Sequence, residues 1–204
     1  MLALALLIQA ASPAQADADP VVSETKAVLA AFKEVCWTGH DAEKVAQSAQ
    51  QRGWAALPAG SQAVADRLRA SIESAAKPTY RVAVRQFQRK VQERNLLLTI
   101  QRGELTAPAA ESFGSTLCVI RELGEPAPLD VSAAQNWMGR TPSEISQNQD
   151  GSLFLAWHGL DLGAPTSVMV AYIPPKSDYV APDFPAGIYL STEAHGPHGA
   201  KPNQ

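Results

Sequence analysis

Glu193, His195 and His198 place two imidazoles three residues apart beside a carboxylate, three borderline ligands of the kind that hold zinc, copper or nickel. His158 and His40 are the remaining imidazoles that could complete such a site. The pair lies in a stretch, 194–200, with two glycines and one proline, so an unpaired tail there would need the metal itself to order it. The sequence therefore predicts no metal site. Asp161, close after His158, offers an acid/base partner, and His158, Asp161, His195 and His198 together define a hydrolytic or metal-dependent enzyme as the alternative reading. Against it, an Asp in a glycine-bearing loop is first a turn residue. There is no Gly-x-Ser-x-Gly elbow, no His-Glu-x-x-His helix, no phosphate-binding glycine loop and no dinucleotide fingerprint. No catalytic residue and no cofactor are expected.

The remaining reactive side chains are Cys36 and Cys118, which form no Cys-x-x-Cys and no zinc-type spacing. Their compartment follows from the N-terminus. Residues 1–8 are apolar, the run thins through 9–13, and Ala14-Gln15-Ala16 precedes the first charge at Asp17. Small residues at Ala14 and Ala16 around one variable position form a signal-peptidase site, so residues 1–16 are expected to be a signal peptide, with Ala16-Asp17-Ala18 as a second cleavage option. No Lys or Arg precedes the apolar run, which departs from the usual pattern. The run is far short of the roughly 20 apolar residues a membrane span needs, so no membrane span is expected and the location is periplasmic or secreted. An even cysteine count in an oxidising compartment predicts a Cys36–Cys118 disulfide, with two separate buried thiols as the alternative.

Charge and composition exclude further classes. The 204 residues are 46% hydrophobic and 18% charged with a net charge of -3, ordinary values for one globular domain. Weak acidity and 6% aromatic residues do not suit a nucleic-acid binder, which needs a basic field. Between positions 81 and 102 six basic residues (Arg81, Arg85, Arg89, Lys90, Arg94, Arg102) face a single acid, Glu93, the one strongly charged stretch. It reads either as a solvated outer strand face or as a docking surface for an acidic partner.

These side chains must be held by elements that the apolar periodicity marks out. Val22, Lys26, Leu29, Phe32 and Cys36 recur at spacings of three and four, predicting a helix over 23–37 capped by Ser23. Asp41 caps a second helix ending at Gly53, where Arg52-Gly53-Trp54 has the form of a Schellman stop with Trp54 folded back as a core anchor. Ser61 caps a third helical stretch, 61–75. Segment 79–102 fits a helical face or alternating strands; the choice here is two strands, with 87–91 paired to 96–101 across a turn at 92–95. Residues 115–123 form a strand containing Cys118, and 132–138 a short helix through Trp137. Strands 152–158 and 167–173 pair as a hairpin, and 187–191 adds a last short strand. The four tryptophans, Trp37, Trp54, Trp137 and Trp157, read as core anchors or as a ligand groove.

The fold class is α+β, with N-terminal helices packed on one face of a mainly antiparallel sheet. One domain covers 17–191, and 192–204 is a loose tail. An early helix carrying Cys36-Trp37, a short helix closing in Gly53-Trp54, a hairpin and a second Cys in a strand resemble small exported bacterial proteins of unknown function. That resemblance implies no activity. The expected function is a non-enzymatic envelope protein that binds another protein or a small apolar ligand through a sheet face or groove. A small periplasmic hydrolase is the competing class, distinguished by whether its polar groups converge in a cleft.

Overall fold

Asp19 and Pro20 open the first helix in the computed structural model, which describes residues 19–37, 41–58, 70, 80–105, 113–123, 127–162, 165–180 and 186–197. The signal-peptide segment with Ala14 and Ala16, the helical stretch at 61–75 apart from residue 70, His40 and His198 lie outside the described residues. Helix α1 spans Pro20–Cys36. The Asp19 carboxylate accepts the Val21 N–H at 2.9 Å, and proline suits the first turn because its φ is already helical and its missing N–H has no partner to lose. The helix therefore starts three residues before the Ser23 cap that the periodicity suggests.

Helix α2 spans Ala42–Gln51, with Asp41 accepting the N–H groups of Glu43 and Lys44 as expected. Its end is a Schellman motif: Gly53, at φ +79°, donates to Gln50 O, Trp54 donates to Ala49 O, and the indole of Trp54 is buried. Strand β1 is the pair Ala55–Ala56. β2 (Tyr80–Val91) and β3 (Arg94–Leu105) form a hairpin, so the ambiguous segment is strand. The turn is tighter than expected, only Gln92 and Glu93 separating the two strands. β4 is Phe113–Leu123, α3 is Val131–Trp137, β5 is Glu144–Gln147, β6 is Leu153–Asp161, β7 is Pro165–Ile173 and β8 is Gly187–Pro197.

All eight strands join one antiparallel sheet in the order β1-β2-β3-β4-β8-β7-β6-β5. Two meanders, β1 to β4 and β5 to β8, run inward from opposite edges and meet where β4 pairs with β8. Three expectations change here. The sheet dominates the described chain, which is mainly β rather than evenly α+β. Strand β8 does not stop at residue 191: residues 192–197, expected in the tail, continue a central strand, 192–194 paired with both β4 and β7 and 195–197 with β4. Its central position supplies hydrogen-bonding partners that a polar, glycine-bearing sequence does not reveal. Strand β5 has no counterpart in the sequence reading, since its four residues are all exposed and leave no apolar alternation.

Alternating strand side chains put Phe87, Leu98, Ile120, Leu190, Val170 and Leu155 in register across six strands, and this row faces the helices. Val28, Leu29, Phe32 and Val35 of α1 and Val45, Ala46 and Ala49 of α2 close the same core. Each of the larger side chains so buried is worth roughly 1.5–3 kcal/mol. Cys36, the last residue of α1, bonds to Cys118 in the middle of β4 with a Cα–Cα distance of 5.6 Å. The bridge spans a separation of 82 residues. In the chain-entropy account, closing such a loop removes about 4–5 kcal/mol of freedom from the unfolded chain. The Cys36→Ala/Cys118→Ala double variant is accordingly expected to unfold with a stability lower by about 4–5 kcal/mol. Denaturant titration of the oxidised parent beside the variant measures the difference.

Candidate ligand groove

Helix α1 sorts its side chains into three stripes. Thr25, Val28, Leu29, Phe32, Val35 and Cys36 are buried against the sheet. Its two acids point elsewhere and are paired, Glu24 with Arg94 at 3.1 Å and Glu34 with Arg52 at 3.6 Å. The third stripe, Val22, Lys26, Leu29, Ala30 and Lys33, faces α3 and forms one wall of a surface groove of about 690 Å³. Asp130, Ser132, Ala133, Asn136 and Trp137 form the other wall. Lys26 in the apolar periodicity of α1 was the sequence signal for this wall; nothing in the sequence indicated that 130–137 would face it.

The floor of the groove ends at an aromatic stack. Trp137 lies 5.8 Å from Phe32, 5.3 Å from Trp37 and 6.3 Å from Trp157 between ring centroids, in edge-on or tilted contacts. Trp157 is fully buried and its indole N–H donates to Arg140 O at 3.0 Å. Half-buried Trp137 is thus held from behind by three rings and presents a fixed face to the groove. Both readings of the tryptophans have a place: Trp54 and Trp157 are core anchors, and Trp137 lines the groove.

The spacing between α1 and α3 is set by a buried cation. The Arg94 side chain is 2% exposed and donates to Glu24 on α1, to both carboxylate oxygens of Glu122 on β4 at 3.3 Å, and to the Ala127 and Pro128 carbonyls at 3.2 and 2.9 Å. Residues 127 and 128 lead directly into α3. Asp130 adds two bonds at the same place: its N–H donates to buried Thr25 Oγ1 at 3.0 Å, and its carboxylate accepts the Ala133 N–H as the cap of α3.

The described polar residues singled out in the sequence are exposed on β6 and β8, where the cross-strand pair Ser167–Glu193 lies between His158 and His195. His158 lies beside a bulge between Trp157 and Leu160, where Gly159 takes φ +65°. Its ring nitrogens contact Ser167 Oγ at 3.2 Å and Glu144 Oε1 at 3.3 Å, and its backbone N–H donates to Ser143 Oγ. These contacts fasten edge strand β5 to its neighbours on an exposed surface. His195 pairs instead with Glu193 on its own strand at 3.3 Å, and Asp161 ends β6 opposite Pro165. Among the described residues no group of three or more His, Cys, Asp or Glu could hold a metal ion. The basic stretch is largely neutralised: Arg85 grips Glu43 through two bonds, Lys90 pairs with Glu93, Arg102 with Glu104, and Arg94 is buried. The chain matches no protein family, no curated protein and no solved structure.

Burial holds the Glu122 carboxyl above its usual range, while Arg94 and the N–H groups of Ala127 and Ile188 pull it down. A carboxyl raised in the folded state favours folding most at low pH, and that contribution is lost as pH rises through its folded value. Replacing Arg94 by Met leaves Glu122 buried without its cation, and is expected to cost about 3–5 kcal/mol at neutral pH. The deficit should narrow as pH falls from neutral into the acid range, because the Glu122 carboxyl is protonated there at lower cost. Thermal unfolding of parent and Arg94→Met across that range gives both the loss and its pH slope.

Proposed function

We propose that the chain is an exported, non-enzymatic binding protein that holds a small apolar ligand in the groove between α1 and α3. The single observation behind this reading is the groove itself: about 690 Å³, floored by Leu29, Ala30, Ala133 and Trp137, with both walls clamped before any ligand arrives. That volume is in the range of small-molecule sites, roughly 300–1,000 Å³, and a preformed apolar floor with a few polar groups at its rim is their usual construction. Export is supported by the Cys36–Cys118 bridge and by the apolar N-terminal run with its Ala14-Gln15-Ala16 site. No described helix is long and apolar enough to cross a membrane. The hydrolase reading has less support: His158 and His195 are exposed on either side of the Ser167–Glu193 cross-strand pair, His158 held by Ser167 and Glu144 and His195 by Glu193, and among the described residues no group of three or more His, Cys, Asp or Glu could hold a metal ion.

Ala30 is exposed on the groove side of α1, so Ala30→Trp fills the groove without entering the core. A neutral, environment-sensitive apolar fluorophore is expected to bind the parent and to lose at least tenfold in affinity to Ala30→Trp, with melting temperature unchanged. Equal binding by the two proteins would place the ligand elsewhere. Export has its own readout: protein recovered from the native envelope should have an intact mass lacking residues 1–16 and no alkylatable thiol. A full-length mass with two alkylated cysteines would remove the export half of the proposal.

A further inference from the structure

The rim of the groove is not electrically neutral. Lys26 and Lys33 lie on one side of α1 two turns apart, about 10 Å along the axis, with Ala30 between them. Lysine stems are long enough for two ammonium groups so placed to reach one anion above Ala30. Lys26 has no ion-pair or hydrogen-bond partner among the described residues, and Lys33 lies 5.7 Å from the centroid of the Trp37 ring. Of the nearby acids, Glu24 is paired with Arg94 and Glu34 with Arg52, while Asp130, whose carboxylate accepts the Ala133 N–H, keeps its charge, so the groove lining carries two lysines against one acid. Across the groove Ser132 and Asn136, one helical turn apart, expose two further donor side chains at the same rim. The site therefore combines an apolar floor with four donors and one acid, Asp130, at its rim.

We propose that the ligand is a single-chain fatty carboxylate, its carboxylate taken by Lys26, Lys33, Ser132 and Asn136 and its tail lying on Leu29, Ala133 and Trp137. This inference rests on the groove reading above and adds the chemistry of the ligand's head. Because the lysines are exposed, each contributes a modest, salt-screened attraction and not a buried ion pair.

Dodecanoate and dodecanol, both below their aggregation concentrations, are to be compared as competitors of the neutral fluorophore on the full chain. Dodecanoate is expected to compete at least about fivefold better at low salt. That preference should fall about threefold in Lys26→Gln, less in Lys33→Gln, and disappear in the double variant, while dodecanol competes equally with all four proteins. Raising the salt to about 0.5 M should shrink the preference in the parent and, by less, in each single variant, and should leave the double variant unchanged. Equal competition by acid and alcohol, or a preference that survives in the double variant, overturns the carboxylate inference and leaves the apolar groove standing. Failure of the fluorophore to bind, or binding that Ala30→Trp does not affect, overturns the groove reading and the inference together.

Discussion

Arg94 is the point on which the two helices and the sheet agree. Its guanidinium joins α1 through Glu24, β4 through Glu122 and the approach to α3 through two carbonyls, so one side chain specifies three relative positions. Such a cluster is not a large source of net stability, since desolvating a cation and a carboxylate offsets most of their attraction. What it supplies is geometry. An apolar side chain could fill the same volume, but it would tolerate many placements of the 127–128 segment, whereas a planar fork of donors tolerates few. The groove is the space left between elements placed in this way.

The other end of α1 is fastened covalently. Glu24 lies in the first turns and Cys36 is the final residue, so the ion cluster and the disulfide hold the helix at both ends, on neighbouring strands β3 and β4. Between these anchors the buried stripe of α1 packs on the apolar row of the sheet. A wall so fixed loses little freedom when a ligand arrives, and ordering costs are a main reason why apolar contact area alone does not become affinity. The aromatic stack plays the corresponding part on the α3 side, because Trp137 is braced by Phe32, Trp37 and Trp157 and need not be immobilised by the ligand.

Local chemistry made much of the scaffold legible in the sequence. Asp41 and Gly53-Trp54 mark the ends of α2 because a carboxylate cap and a positive-φ glycine act on their nearest neighbours. Strong alternation marks β6 and β7, and the even cysteine count marks the bridge that joins α1 to β4. The misses share one cause, which is dependence on distant partners. Residues 192–197 are a strand because β4 lies along all of them and β7 along 192–194, and 144–147 are a strand because β6 lies alongside. Arg94 looked like one more solvated charge in a basic hairpin, since its acids are 70 residues before it and 28 after it.

The same dependence explains why histidines drew attention in the sequence while the groove did not. A histidine advertises chemistry by type alone, but His158 and His195 are engaged on separate strands by Glu144, Ser167 and Glu193. Lysine, by contrast, is the commonplace residue of an exposed helix, and Lys26 and Lys33 become notable only after the acids of their own helix are found to be bound elsewhere. Pairing Glu24 with Arg94 therefore has two effects at once. It fixes the distance from α1 to α3, and it engages a negative charge that would otherwise lie near Lys26, leaving an apolar trough whose rim carries two lysines against the single acid Asp130. Geometry and field in the groove trace back to the same buried arginine.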